Sequence, residues 1–259
     1  MVTAAADLFD LAGQTAVVTG AGSGLGAAIA GGLATFGATV VAVDVDAAAA
    51  EAVVAAIRAR GGDADAVECD VTDRSRVESA VCEAETRHGP VRVLATSAGI
   101  GLRSPAADMS DTQWSRVIDV NLTGTWNWNQ AIGRRMAERR AGSIINVASI
   151  AGLVGVTTGN VNYAASKGGV IAMMRTLALE WAPANVRVNA LAPTHFRTPL
   201  IENAIRERPE LLDYYVGNIP LGRIGEPAEI VGPAVFLASA ASSMVTGHVL
   251  VVDGGHTAR

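Results

Sequence analysis

The chain has 259 residues, a net charge of −5, 28 glycines and half of its residues apolar. That length suits one domain over 1–259, and the acidic balance with no basic track excludes nucleic acid as a partner. Two cysteines, Cys69 and Cys82, make neither a disulfide framework nor a zinc site, so no metal is expected and a reducing cytoplasm fits.

Asp7 and Asp10 interrupt the N-terminus, and no basic stretch precedes an apolar core, so the sequence reads without a signal peptide. Residues 11–43 carry no charged side chain, a length that would permit a membrane span. Eight glycines divide the stretch into two short apolar blocks. It therefore reads as a buried strand, turn, helix and strand, with no membrane partner.

Thr15–Thr19 is the first predicted strand, a short fully apolar-bounded run of the buried kind. The turn 20–26, with Gly20, Gly22, Gly24 and Gly26, follows and opens a helix of small residues through Phe36. A second strand over 38–43 ends at Asp44. This is the opening βαβ of a dinucleotide-binding fold. The glycines let the backbone approach a pyrophosphate, and the helix N-terminus offers free N–H groups to it. Asp44, eighteen residues after Gly26, is placed to accept from the adenosine ribose hydroxyls. A carboxylate there repels a 2′-phosphate, and Ser23 stands where an arginine would hold one, so the expected cofactor is NAD.

Asp46 reads as a helix N-cap for a helix over 47–60 that Gly61 and Gly62 end. A strand over 64–69 leads to Asp70-Val71, and Thr72 or Asp73 caps a helix to about His88. The next strand, 91–95, ends at Thr96-Ser97-Ala98-Gly99. One long helix is predicted over 111–140, carrying Asn121 and ending in a solvated cluster of Arg134, Arg135, Arg139 and Arg140. A strand over 143–147 has Ser149 just beyond it. Tyr163 and Lys167 then sit four apart at the head of an apolar helix, on one face. A cation so placed favours the phenolate and lowers the tyrosine pKa from about 10, which suits general acid–base work. A sixth strand over 186–191, a charged helical lid over 197–217, a helix over 227–240 and a strand over 249–252 complete the chain. The alternation predicts an α/β fold: a single-domain, Rossmann-like, doubly wound parallel sheet of about seven strands with helices on both faces.

Taken singly, Ser149 reads as a turn residue and Asn121 as a polar helix residue. Jointly, Thr19-Gly20, Gly24-Leu25-Gly26, Asp70-Val71, Ala98-Gly99, Asn121, Ser149, Tyr163, Lys167, Pro193, Thr198 and Val252-Asp253-Gly254-Gly255 resemble the short-chain dehydrogenase/reductase family. The resemblance covers nearly the whole chain and is nearest in character to the NAD-linked polyol and sugar-alcohol dehydrogenases. It implies hydride transfer between a secondary alcohol or ketone and the nicotinamide. Tyr163 would be the acid/base, Lys167 its pKa-lowering partner and ribose ligand, Ser149 the clamp on the substrate oxygen, and Asn121 the holder of a water on a proton exit. The cofactor set it implies is Gly20, Ser23, Gly24, Leu25, Gly26, Asp44, Asp70, Val71, Ser97, Ala98, Gly99, Tyr163, Lys167, Pro193, Phe196 and Thr198. Substrate-pocket candidates are Ser149, Val156, Asn160 and His195, joined by Gly101, Leu102 and Arg103. A homotetramer is the usual assembly.

Thr96-Ser97 stand where the family often has two asparagines, and Thr194 where it usually has glycine. A threonine forced to positive φ there would be strained. A 3-oxoacyl thioester reductase, which more often uses NADP, is the alternative activity. A non-catalytic NAD-binding sensor is the alternative from another class.

Overall fold

A computed structural model describes residues 5–155 and 159–258. The strands are β1 (Thr15–Thr19), β2 (Thr39–Asp44), β3 (Ala64–Glu68), β4 (Val91–Thr96), β5 (Gly142–Val147), β6 (Val186–Pro193) and β7 (Val249–Val252). Among the described residues they form one parallel sheet in the order β3-β2-β1-β4-β5-β6-β7. The order reverses between β1 and β4, and the carboxyl ends at such a switch point form the ligand crevice of open α/β sheets.

The helices are α1 (Gly24–Thr35), α2 (Ala47–Arg58), α3 (Arg74–His88), α4 (Asp111–Ile118), α5 (Gly124–Arg139), α6 (Val161–Trp181), α7 (Pro199–Glu207), α8 (Glu210–Asn218) and α9 (Val231–Ala238). Alternate strand residues feed two cores. Val17, Val41 and Leu94 pack with residues of α3, α5 and α6 on one face. Ala16, Val18, Val40 and Ala42 pack with residues of α1, α2 and α9 on the other. Burial on both sides is why these strands read as continuous apolar runs.

Caps fix the helix starts. Asp46 accepts from Ala49 N at 3.0 Å, and Asp73 accepts from Ser75 N and Arg76 N, which decides between Thr72 and Asp73. The charge-free run 11–43 folds as β1, turn, α1 and β2. The arginines at the end of α5 pair with α3: Arg134 with Glu78, and Arg135 and Arg139 with Glu85. No helix of the described residues is long and apolar enough to cross a membrane.

The long helix expected over 111–140 runs without interruption to Arg139, with one stretch inside it wider than an α-helix. Asp119–Thr123 is a π turn between α4 and α5, with Val120 and Asn121 buried. The Thr125 hydroxyl donates to the Asn121 carbonyl at 2.7 Å, giving a partner to an oxygen that the wider turn displaces from the α pattern. A π turn inserts one residue into the helix, and such insertions gather at functional sites. The predicted helix over 227–240 likewise begins as a 3₁₀ turn, Pro227–Ile230, before α9.

Candidate active site

The turn 20–26 leaves β1 beneath the N-terminus of α1, where the first N–H groups have no intrahelical partner. Two glycines there leave little room for a side chain. A Cβ on Gly26 would lie 2.0 Å from the Gly20 carbonyl oxygen, and one on Gly22 would lie 2.9 Å from Asp44 Oδ2. Asp44 ends β2 and its carboxylate straddles the turn: Oδ2 accepts from Gly22 N at 2.8 Å and Oδ1 from Asp46 N at 3.0 Å. Each oxygen keeps acceptor capacity beyond those bonds.

A cleft of about 340 Å³ runs along the carboxyl ends of the strands. It is lined by Gly20, Ser23, Gly24, Leu25, Gly26, Asp44, Asp70, Val71, Ser97, Ala98, Gly99, Tyr163, Lys167, Pro193, Phe196 and Thr198, which brings the whole sequence-derived cofactor set to one surface. A bare glycine cradle at a helix N-terminus, followed by a carboxylate at the end of the second strand, fits a dinucleotide: backbone donors for the pyrophosphate and an acceptor for the ribose. Cys69, Ile100, Arg116, Val120, Leu200 and Ile201 line the same cleft. Sequence reasoning did not single them out, because they carry no motif and arrive there through the loops after β3 and β4, α4, the π turn and α7.

The loop after β4 shows what replaces the expected asparagines. The Thr19 hydroxyl accepts from Ser97 N and Ala98 N. The Thr96 hydroxyl donates to Asn146 Oδ1 at 2.7 Å, inside a buried network with Asn129. Thr96 thus points into the protein, and the backbone of 97–99 forms the cleft wall. Thr194 is unstrained: among the described non-glycine residues only Arg140 and Asn185 have positive φ.

Tyr163, Lys167 and Ser149 meet where α6 crosses the end of β5. Ser149 Oγ accepts from Ala151 N at 3.1 Å and hydrogen-bonds the Tyr163 phenol. Lys167, 4 % exposed, donates from Nζ to the Val147 carbonyl at 2.7 Å. Its Nζ lies 5.7 Å from the centre of the Tyr163 ring. Burial lowers the Lys167 pKa to about 8. The expected lowering of the tyrosine pKa is corrected here. Burial raises it, opposed by the Ser149 hydrogen bond and the charge of Arg103. Desolvation of the phenolate outweighs both, and the cation four residues on is held by Val147.

Asn121 is a clamp. Oδ1 accepts from Ile100 N at 2.8 Å, and Nδ2 donates to the Ile100 carbonyl and to Ser166 Oγ. Both amide protons are thereby committed to joining the loop after β4 to α6, so any link to a water would use its acceptor oxygens.

A second cavity, about 520 Å³, adjoins the first under α7 and α8. Ser149, Tyr163, Thr194, Leu200 and Ile201 line both. Gly101, Leu102, Arg103, Asn160 and His195, the candidates named from the sequence, line the second; Val156 lies outside the described residues. His195 stacks on Tyr215 with ring centroids 3.7 Å apart, and burial together with the nearby His256 and Arg103 pushes its pKa down to about 3. It is therefore neutral at ordinary pH. Gln113, Asn203, Tyr214, Asn218 and His256 also line this cavity and were missed. Asn203 and Tyr214 sit within the predicted lid without any pattern that picks them out, and His256 comes from the C-terminal turn, where no sequence signal marks a pocket residue.

The sequence model of a family described as Enoyl-(Acyl carrier protein) reductase matches residues 20–257. Galactitol 2-dehydrogenase (L-tagatose-forming) of Cereibacter sphaeroides is 43% identical over 255 residues, covering 96% of this chain and 97% of its own. A 3-oxoacyl-(acyl-carrier-protein) reductase of Thermotoga maritima is 40% identical over 245 residues, covering 95% of this chain and 98% of its own. Among solved structures, a gluconate 5-dehydrogenase from Burkholderia cenocepacia, in complex with NADP and tartrate, superposes with a TM-score of 0.93 at 36% identity, covering 98% of this chain and 99% of that one.

Proposed function

We propose, from the premise that this chain belongs to the short-chain dehydrogenase/reductase family and is an oxidoreductase acting on alcohols, that it interconverts a secondary alcohol and a ketone on a polyol- or sugar-like substrate with NAD. The observation that carries the reading is that Ser149 and Tyr163 line both cavities. A substrate carbon held against them from the second cavity faces whatever the first one binds. The nicotinamide supplies the hydride acceptor or donor when bound.

The chain's own residues do the rest. In alcohol oxidation the Tyr163 oxygen takes the hydroxyl proton, and in reduction it returns one to the carbonyl oxygen. Ser149 donates to that same oxygen and steadies its developing charge. Lys167, whose pKa burial lowers to about 8, carries positive charge beside the phenol and would hold the nicotinamide ribose when the cofactor is bound. Asn121 fixes the loop after β4, so that Ala98 and Gly99 keep their place under the cofactor. Thr198, whose methyl lies 3.2 Å from where a Gly24 Cβ would sit, flanks the cleft at the start of α7. The lid 197–217, built as α7 and α8, excludes water from the transfer.

NAD is favoured over NADP by Asp44 at the end of β2, whose carboxylate would accept from the ribose hydroxyls and repel a 2′-phosphate. Polyols and sugars are favoured by the amide-rich wall of the second cavity, Gln113, Asn160, Asn203 and Asn218, which suits hydroxyls. The thioester reductase reading draws on the Thermotoga maritima relative and on the matched family's description, and the same polar wall argues against an acyl chain. The intact contacts among Ser149, Tyr163 and Val147-held Lys167 argue against a non-catalytic sensor. Residues 1–259 act as one catalytic domain. We also infer a homotetramer, the usual assembly of this family; light scattering checks it.

The test is a panel of polyols, sugar acids and hydroxyacyl thioesters with NAD and with NADP, followed as reduced-cofactor absorbance. Turnover of polyols or sugar acids with NAD that Tyr163→Phe abolishes supports the proposal. Cofactor binding without turnover of any alcohol sinks the enzyme, and thioesters as the preferred class select the alternative.

A further inference from the structure

Among the described residues the second cavity holds one formal cation, Arg103, in a wall otherwise made largely of neutral hydrogen-bonding groups. Arg103 Nη2 donates to the Tyr215 hydroxyl at 2.7 Å, a neutral acceptor. Arg103 Nη1 is buried with no hydrogen-bond partner among the described residues, and no ion pair among them involves Arg103. A guanidinium N–H held from water without an acceptor is costly, and an ionised acceptor offsets that cost far better than a hydroxyl does. The planar fork matches a carboxylate geometrically. Among the described residues Glu207 is the one carboxylate in the cavity lining, but it is exposed on α7, where water screens it. His195 supplies no second cation, since it is neutral above a pKa of about 3.

The guanidinium is also held. Tyr215 is fully buried, and its ring lies 3.7 Å from that of His195 at an interplanar angle of 16°. His195 Nδ1 in turn approaches the Thr194 hydroxyl, which contacts His256 Nδ1 at 3.1 Å. Lid helix α8, the segment after β6 and the C-terminal turn therefore converge behind one arginine.

We propose that Arg103 binds a carboxylate at the end of the substrate remote from the reacting carbon, and that Tyr215, braced by His195, is the positioning residue that aims it. This rests on the dehydrogenase reading above and narrows its substrate class to sugar acids. A substrate with its carbinol at Ser149 and Tyr163 and its carboxylate at Arg103 spans the cavity; an alditol of the same skeleton leaves Nη1 unpaired.

The test compares aldonates with their alditols, D-gluconate with D-glucitol and D-galactonate with galactitol, using the enzyme with saturating cofactor. The aldonate is expected to exceed its alditol in kcat/KM by about tenfold or more, the worth of one charge-assisted pair. Arg103→Gln should lower kcat/KM for the aldonate at least ten times more than for the alditol, chiefly through KM, and Arg103→Lys should lower it less. Tyr215→Phe keeps the ring on His195 and removes the hydroxyl. It should raise the aldonate KM severalfold with kcat within about twofold, a split that general loosening of the fold does not produce. Alditols equal to aldonates in every pair, or Arg103→Gln reducing both equally, overturns the inference. If none of the four is turned over, the dehydrogenase reading fails on these substrates, and carboxylate binding is read by thermal shift. Stabilisation of wild type by aldonate, absent in Arg103→Gln, then supports the site, and an equal shift in both overturns it.

Discussion

Lys167 Nζ donates a 2.7 Å hydrogen bond to the backbone carbonyl of Val147. The cation of α6 is thereby tied to the last residue of β5, two positions before Ser149, so one bond fixes the spacing between the serine and the Tyr163–Lys167 helix face. It also makes Lys167 a buried charge with a single carbonyl partner, and burial sets its pKa near 8.

Stability should carry that signature. The folded pKa of Lys167 is about 8 and the free value about 10.4. Between those values the unfolded chain binds more protons than the folded one, so this group's contribution to stability rises with pH. Below about 8 both states are charged and the penalty of burial is fully present. Lys167→Met should therefore unfold at higher urea than wild type at pH 7 while losing activity, and the difference should shrink toward pH 10. Cys69 and Tyr163, whose folded pKa values are raised, oppose the trend above about 9, and subtracting the variant removes their share. A wild type more stable than Lys167→Met at pH 7 by as much as at pH 10 contradicts the assignment.

Alcohol oxidation needs the phenolate of Tyr163, whose pKa burial raises while Ser149 and Arg103 pull it back. The rate of oxidation should climb with pH through the alkaline range. Ser149→Ala removes both the clamp on the substrate oxygen and the hydrogen bond that favours phenolate. Its kcat should fall about 100-fold, the usual loss for one such donor, and the midpoint of its pH profile should move upward. Initial rates across pH 6–10 on the wild type and variant measure both.

Asp44→Ala takes the acceptor from the ribose and the negative charge from the path of a 2′-phosphate. It also frees Gly22 N and Asp46 N, which Asp44 now holds. NAD should bind more weakly and NADP comparatively better, a swing in their kcat/KM ratio of about tenfold or more, as expected for losing a like-charge repulsion of 1–2 kcal/mol. An unchanged ratio would show that Asp44 has no part in cofactor choice.

Gly26→Ala is predicted to abolish cofactor binding while Gly31→Ala is tolerated. A Cβ at Gly26 would sit 2.0 Å from the Gly20 carbonyl oxygen, whereas one at Gly31, in the same helix, meets nothing within 4 Å. Quenching of tryptophan fluorescence by cofactor titration, read beside the melting temperature, separates a lost cradle from a lost fold.

Much of the site is legible in the amino-acid order because it rests on strand ends. Asp44, Asp70, Gly99 and Ser149 stand at or just past the carboxyl ends of parallel strands, where period and composition place them, and the sheet brings such ends to one edge by its topology. Two features escape the sequence pattern for local reasons. The helix over 111–140 keeps helical periodicity through the π turn, so the inserted residue at Asn121 is silent in the pattern. A tyrosine pKa inferred from a charge four residues away takes no account of how deeply both groups are buried. The positive φ that would strain a threonine at 194 does not arise, and the Thr194 hydroxyl contacts two histidines.

By itself, the amino-acid order determined the alternation of strands and helices, the glycine cradle, the carboxylate at the end of β2 and the tyrosine–lysine face of α6. Each is a matter of spacing within one segment, where backbone geometry converts sequence distance into position. Only the tertiary structure decided which way the pKa values move, that Asn121 clamps a loop to a helix, and which groups wall the second cavity. Arg103, His195, Tyr215 and His256 come from four separate stretches, and what they do depends on burial and on a shared wall, quantities that exist only once the chain has closed on itself.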